Sequence, residues 1–150
     1  MQRLELGQTM RVTRQRSAAQ LRRFILEYTE TCWNKHQIDA MDRYYDPGYV
    51  HHDVSRPDVL TLAQYQQWGR DLIAAFPDLH VHADDVIAEG EKAVKRWTAI
   101  GLHQGSLAGI PATGRRISFS GASVYRMAGS RIAESWYVYD LYGLIHQLTG

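Results

Sequence analysis

Phe76-Pro77-Asp78-Leu79-His80-Val81-His82-Ala83-Asp84-Asp85-Val86-Ile87-Ala88 is the stretch in which the chain changes its hydrophobic period. Before Pro77, apolar residues recur every three or four positions; after it they alternate, the pattern of strands with one buried face. Leu79 to Ala88 reads as a first strand, and Glu89-Gly90-Glu91 turns it into a second, Ala93 to about His103. A loop with Gly105, Gly109, Pro111 and Gly114 leads to a third strand, Arg116 to Met127. Gly129-Ser130 is a hairpin turn into a fourth, Arg131 to Asp140.

Working back from Pro77, Thr61 with Gln64 three residues on is a capping box that opens a helix through Tyr65, Trp68, Leu72, Ile73 and Phe76. Asp39 can cap a short helix carrying Met41 and Tyr44, which Asp46-Pro47-Gly48 breaks, and Tyr49 to Asp53 reads as a short strand or extended loop. Ser17 is an N-cap for an amphipathic helix through Leu21, Phe24, Ile25, Tyr28 and Cys32 to about Asn34. Leu141, Leu144, Ile145 and Leu148 form a short amphipathic tail. Helices first and hairpin-linked strands afterwards predict an α+β fold. It is a cone-shaped, curved antiparallel sheet packed against three N-terminal helices and enclosing an apolar pocket.

With 150 residues the chain suits one domain, taken as 17–150, behind a basic leader, 1–16, in which Arg3, Arg11, Arg14 and Arg16 face a lone Glu5. A net charge of +1 predicts no pull towards nucleic acid or an anionic membrane, and aromatic interleaving is absent from the leader. The apolar runs are too short to span a bilayer, and no signal-peptide pattern opens the chain. The single Cys32 has no internal disulfide partner, so a cytoplasmic setting is expected.

The last strand carries the expected chemistry. Strict alternation places Ile132, Glu134, Trp136, Val138 and Asp140 on one side and Ala133, Ser135, Tyr137 and Tyr139 on the other. A carboxylate against aromatic and aliphatic walls is poised for proton transfer near neutral pH. The plainer alternative is that Glu134 and Asp140 are wet residues at strand ends.

In order along the chain, Phe76-Pro-Asp78, Ala88-Glu-Gly90, Arg96-Trp-Thr98, Gly101-Leu-His103, Gly109-Ile-Pro111, Thr113-Gly-Arg115, Val124-Tyr-Arg126, Arg131-Ile-Ala-Glu134-Ser-Trp136 and Asp140 resemble the SnoaL-like polyketide cyclase family. That family lies within the nuclear-transport-factor-2-like superfamily. The resemblance runs from about Trp33 to Leu148 and implies cofactor-independent closure or isomerisation of a polyketide-like ketone by intramolecular aldol chemistry. It also implies the family's acid/base carboxylate at Asp140 and its His-Asp pair at His52-Asp53. Asp53 is the alternative base, since ketosteroid-isomerase-like relatives carry one in about that region. His103 remains where a hydroxyl neighbour is replaced by Leu102.

On this reading Asp140 moves the protons, and His52 or His103 polarises the carbonyl. Tyr49, Trp68, Phe76, Trp97, Phe119, Glu134, Trp136 and Arg96 are the candidate substrate-binding residues, the aromatics being equally suited to core packing. The expected ligand is hydrophobic, with a flat polycycle as one option. The expected assembly is a homodimer through an outer sheet face bearing Tyr137, Tyr139 and Val124, and no cofactor is called for. His80-x-His82 with Asp84, and His51-His52-Asp53, lack a full set of metal ligands, so no metal is assigned. The glycines do not follow a phosphate-binding pattern, and no Ser or Cys nucleophile motif is present. Two alternatives stand beside the cyclase. One is another small-molecule enzyme in the same cup (a hydroxylase component, a hydratase, or an epoxide hydrolase using Arg96 and Thr98); the other is a non-catalytic binding module.

Overall fold

In the computed structural model the described residues are 14–150, so most of the basic leader lies outside them. The capping boxes set the two long helices. Ser17 Oγ accepts from Gln20 N and the Gln20 side chain returns to Ser17 N, opening α1 (Ala18–Tyr28). Thr61 and Gln64 do the same for α3 (Leu62–Ala75). Beyond Tyr28 the first helix continues as a π-helical segment, Thr29–Asn34, and a 3₁₀ turn, Ile38–Ala40, leads into the one-turn α2, Met41–Tyr44. Arg16 rests its guanidinium over Phe24 and donates to Ser130 O.

The strands are β1 (Tyr45–Asp53), β2 (Leu60–Thr61), β3 (His80–Glu89), β4 (Lys92–Leu102), β5 (Arg116–Ala128) and β6 (Arg131–Tyr139). They form one six-stranded sheet in the order β2-β1-β6-β5-β4-β3. The last four make the expected antiparallel meander. Gly129 adopts φ +60° in its final hairpin, a conformation that suits glycine. β1 pairs parallel with β6, a long-range contact that local sequence does not announce, and it begins at Tyr45, so Asp46-Pro47-Gly48 lies within the strand. Helix α4 (Leu141–Thr149) closes the described chain. No helix among the described residues is long and apolar enough to cross a membrane.

A β-bulge at Ala133 decides which side chains of β6 face inward. Met127 pairs with Ile132 but Arg126 pairs with Glu134, so one residue of β6 is extra. Ile132 is inside, and after the bulge the inward residues are Ser135, Tyr137 and Tyr139. Strict alternation put Tyr137 and Tyr139 outside and Glu134, Trp136 and Val138 inside; the extra residue inverts that assignment. Beneath the helices, the inner sheet face carries Lys95, Trp97, Ala99, Phe119, Ser123, Tyr125, His51 and Asp53.

Candidate active site

Between the helices and the inner sheet face lies a small apolar cavity of about 30 Å³, lined by Trp33, Trp68, Leu72, Val81, Lys95, Trp97, Ala99, Phe119, Tyr137 and Tyr139. That is room for one or two waters. Gly121 makes the wall possible, since a Cβ there would sit 2.7 Å from both Trp97 Cζ2 and Tyr139 Cβ.

Two polar systems reach this cavity. The first is phenolic: Tyr65 donates to the Tyr137 hydroxyl at 2.7 Å, Tyr125 and Tyr137 hydroxyls lie 3.2 Å apart, and Trp33 Nε1 donates to Tyr28 Oη at 2.7 Å. Burial raises the pKa of every one of these tyrosines well above the usual phenol value, so they are neutral donors at physiological pH. Beside them His51 stacks on Tyr65 and bonds the Tyr49 hydroxyl, which also bonds Ser135 Oγ. Burial pulls His51 down to about 4, which keeps it neutral.

The second system is Asp53, only 6 % exposed. Its Oδ1 accepts from Ser55 N at 2.8 Å and Ser55 Oγ at 2.6 Å, and its Oδ2 accepts from the Tyr139 hydroxyl at 3.2 Å. Burial, the largest cause, and the neighbouring Asp53 charge raise the Tyr139 pKa, while its Ser55 contact opposes this. Asp53 and Tyr139 meet because β1 runs parallel to β6 with Asp53 opposite Tyr137.

The expected site residues divide sharply. Trp68, Trp97 and Phe119 line the cavity. Tyr49 and Phe76 are buried in the surrounding core. Asp140 stands elsewhere: it is exposed, caps α4, and accepts from Gly143 N at 2.8 Å. Strand β6 ends at Tyr139, which leaves Asp140 to the helix cap and outside the cavity, a correction to its expected catalytic position.

His52, Glu134, Trp136 and Arg96 are likewise corrected to the outer sheet face. There His52 stacks on Trp136 and bonds Glu134 Oε2 at 2.7 Å, and Arg126 Nε donates to Glu134 Oε1. The His52 contact, first, and Arg126 hold the Glu134 carboxyl below its usual range. Thr98 donates to Asp84 on that outer face, so the Arg96–Thr98 pair does not face into the cup. His103 is fully buried beside Phe76, with Nδ1 accepting from Thr113 N, but it is not part of the cavity wall. His80 and His82 are exposed, and His82 bonds Asp84.

Lys95, Tyr137 and Tyr139 were not among the expected site residues. For Lys95 the signal was partial: it alternates with Trp97 and Ala99 on β4, which gives its face but not the helices that close that face. For the tyrosines, the bulge at Ala133 concealed it.

A model of the SnoaL-like polyketide cyclase family matches residues 23–148. Among solved structures, a candidate polyketide cyclase from Acidithiobacillus ferrooxidans is 31% identical, covering 84% of this chain and 92% of its own, with a TM-score of 0.73. TsrD from Streptomyces laurentii is 29% identical with a TM-score of 0.79, covering 89% and 98%. AclR from Streptomyces galilaeus, a hydroxylase candidate, is 25% identical with a TM-score of 0.81, covering 88% and 97%. No curated protein matches the chain. The fold is nuclear-transport-factor-2-like, and the chain belongs to the SnoaL-like polyketide cyclase family.

Proposed function

We propose that the chain is a cofactor-independent acid–base enzyme that cyclises or isomerises a hydrophobic, polyketide-like ketone by aldol-type chemistry, with Asp53 and Tyr139 as its proton-transfer pair. The observation that carries this reading is the contact between a buried carboxylate and a phenol of the cavity wall. As Tyr139 takes a proton from a carbon flanked by carbonyls, it passes its own to Asp53. Once the new carbon–carbon bond forms, the alkoxide recovers a proton from Tyr139, and Asp53 returns one, so the pair ends as it began. Tyr137 accepts from Tyr65, and its own hydroxyl proton, near the Tyr28 and Tyr125 hydroxyls at 3.4 and 3.2 Å, turns to a developing oxyanion. A ring system enters with displacement of the half-buried Trp68 side chain, while Tyr139 keeps its contact with Asp53.

The test is deuterium exchange at the α-carbon of a flat aryl ketone, 1-tetralone, followed by NMR. Asp53→Asn is expected to slow exchange by about a hundredfold or more, the scale of a lost general base. Asp140→Asn is expected to leave it unchanged, since Asn also caps helices well. The opposite pattern overturns the assignment. A ketone that binds without exchanging supports the binding-module reading instead.

A further inference from the structure

Lys95 is the one cationic side chain in the cavity wall, and it is 2 % exposed. Among the described residues its ammonium group makes a single hydrogen bond, to Thr29 Oγ1 at 2.8 Å, although it has three protons to donate. No acidic side chain among the described residues pairs with it. Its remaining surroundings are the faces of Tyr28 and Tyr125, 5.3 and 5.7 Å away, and the edge of the cavity. A buried ammonium without a counter-ion is costly, and a fold that only needed to fill this position would do better with an apolar side chain.

We propose that Lys95 is the anchor for an acidic oxygen on the ligand, so that the cavity selects flat aromatic molecules carrying a carboxylate or an enolate. The missing counter-ion then arrives with the ligand, and an enolate formed during turnover would meet the same charge. This deepens the proposed function and rests on its reading of the cavity as the ligand site. Its readout is binding, so it fails independently of turnover.

The other titratable groups around the amine do not compete. Tyr28 and Cys32 on the first helix and its π continuation, Tyr125 on β5, and Tyr137 and Tyr139 on β6 are all shifted upwards by burial and stay neutral near pH 7. From α3 and β3 the cavity receives only Trp68, Leu72 and Val81. Burial pulls Lys95 itself down to about 7, so an arriving anion draws a proton onto it.

The experiment compares 2-naphthoate with 2-naphthamide, and adds 1,3-indandione as an enolate probe, by calorimetry in two buffers at about pH 8. The acid is expected to bind about tenfold or more tighter than the amide, with proton uptake. Tighter binding of the naphthoate alone assigns a carboxylate; tighter binding of the indandione enolate as well assigns anionic oxygens in general. Lys95→Met should abolish the preference while still binding the amide, and Lys95→Gln, which can keep the bond to Thr29, should do the same. Equal binding of acid and amide by the unmodified protein overturns the proposal, with no variant needed. So does failure of the naphthoate to bind, or a preference that survives in either variant.

Discussion

The Tyr139 hydroxyl donates to Asp53 Oδ2 at 3.2 Å, and through that contact the one buried carboxylate among the described residues reaches the cavity wall. Tyr139→Phe keeps the ring and removes the relay. Exchange at the α-carbon of a bound ketone is expected to fall about 10- to 100-fold, because general acid–base steps contribute on that scale. Stability in urea should change by only about 1 kcal/mol, the worth of one hydrogen bond. An unchanged exchange rate would show that Asp53 acts without the phenol.

The face assignment of β6 rests on Ala133. Deleting it removes the extra residue, so that Ile132, Ser135, Tyr137 and Tyr139 keep the inner face and Glu134 and Trp136 the outer one, now by strict alternation. The variant is expected to fold with its interior tyrosine network in place and to lose about 1 to 3 kcal/mol, from straightening a strand that the bulge bends. Loss of cooperative unfolding in urea would mean that Ala133 is not simply an extra residue between the Met127–Ile132 and Arg126–Glu134 pairs.

The same residue marks where sequence reading stops. The helix starts were legible because Ser17 and Thr61 with Gln64 are local signals, and the strand spans followed from the period change at Pro77. A bulge has no such signature: Ala133 in Arg131-Ile-Ala-Glu-Ser-Trp is an ordinary strand residue until its partners on β5 are known. Asp53 was visible as an alternative base, but its partner Tyr139 depends on a parallel pairing between segments more than eighty residues apart. Lys95 was hidden differently, since lysine in an alternating strand is usually solvated, and nothing local says that this face is closed by helices.

Two buried bases give the protein an acid-sensitive stability. His51 stands at about 4 in the fold against an ordinary 6.5, so the unfolded chain binds its proton first. Stability therefore falls as pH drops through 6.5 towards 4, by about 3 kcal/mol in all from this group. Lys95 stands at about 7 against 10.5, so between these values the unfolded chain again holds the extra proton. Stability should rise with pH from about 7 by up to about 1.4 kcal/mol per unit. The rise flattens above about pH 9, where the unfolded Cys32 thiol ionises while burial holds the folded one at about 12. Urea denaturation across pH should show the lower slope vanish in His51→Gln and the upper one in Lys95→Met. Slopes that persist in these variants would assign them to other groups.

The outer sheet face predicts an assembly. Val94 and Ile100 from β4, Val124 from β5, and Trp136 and Val138 from β6 stand there, and Val138 is 54 % exposed. The expected outer tyrosines are inside, but the residues that replace them are as apolar. His52 stacked on Trp136, with Glu134 and Arg126 beside it, gives the patch a polar margin. An apolar row of Val94, Val124 and Trp136, with Val138 beside it and Arg96 and Thr98 separating it from Ile100, has the form of a protein interface, and a symmetric pair of sheets is the simplest closed arrangement that covers it. We expect a homodimer, with each substitution on the face counted twice. Val138→Asp should weaken dimerisation by more than about tenfold, since it buries a carboxylate in each partner, and should leave the interior tyrosine network intact. Sedimentation equilibrium decides the matter: a species of monomer mass at all concentrations in the unmodified protein would leave this face without a partner of its own kind.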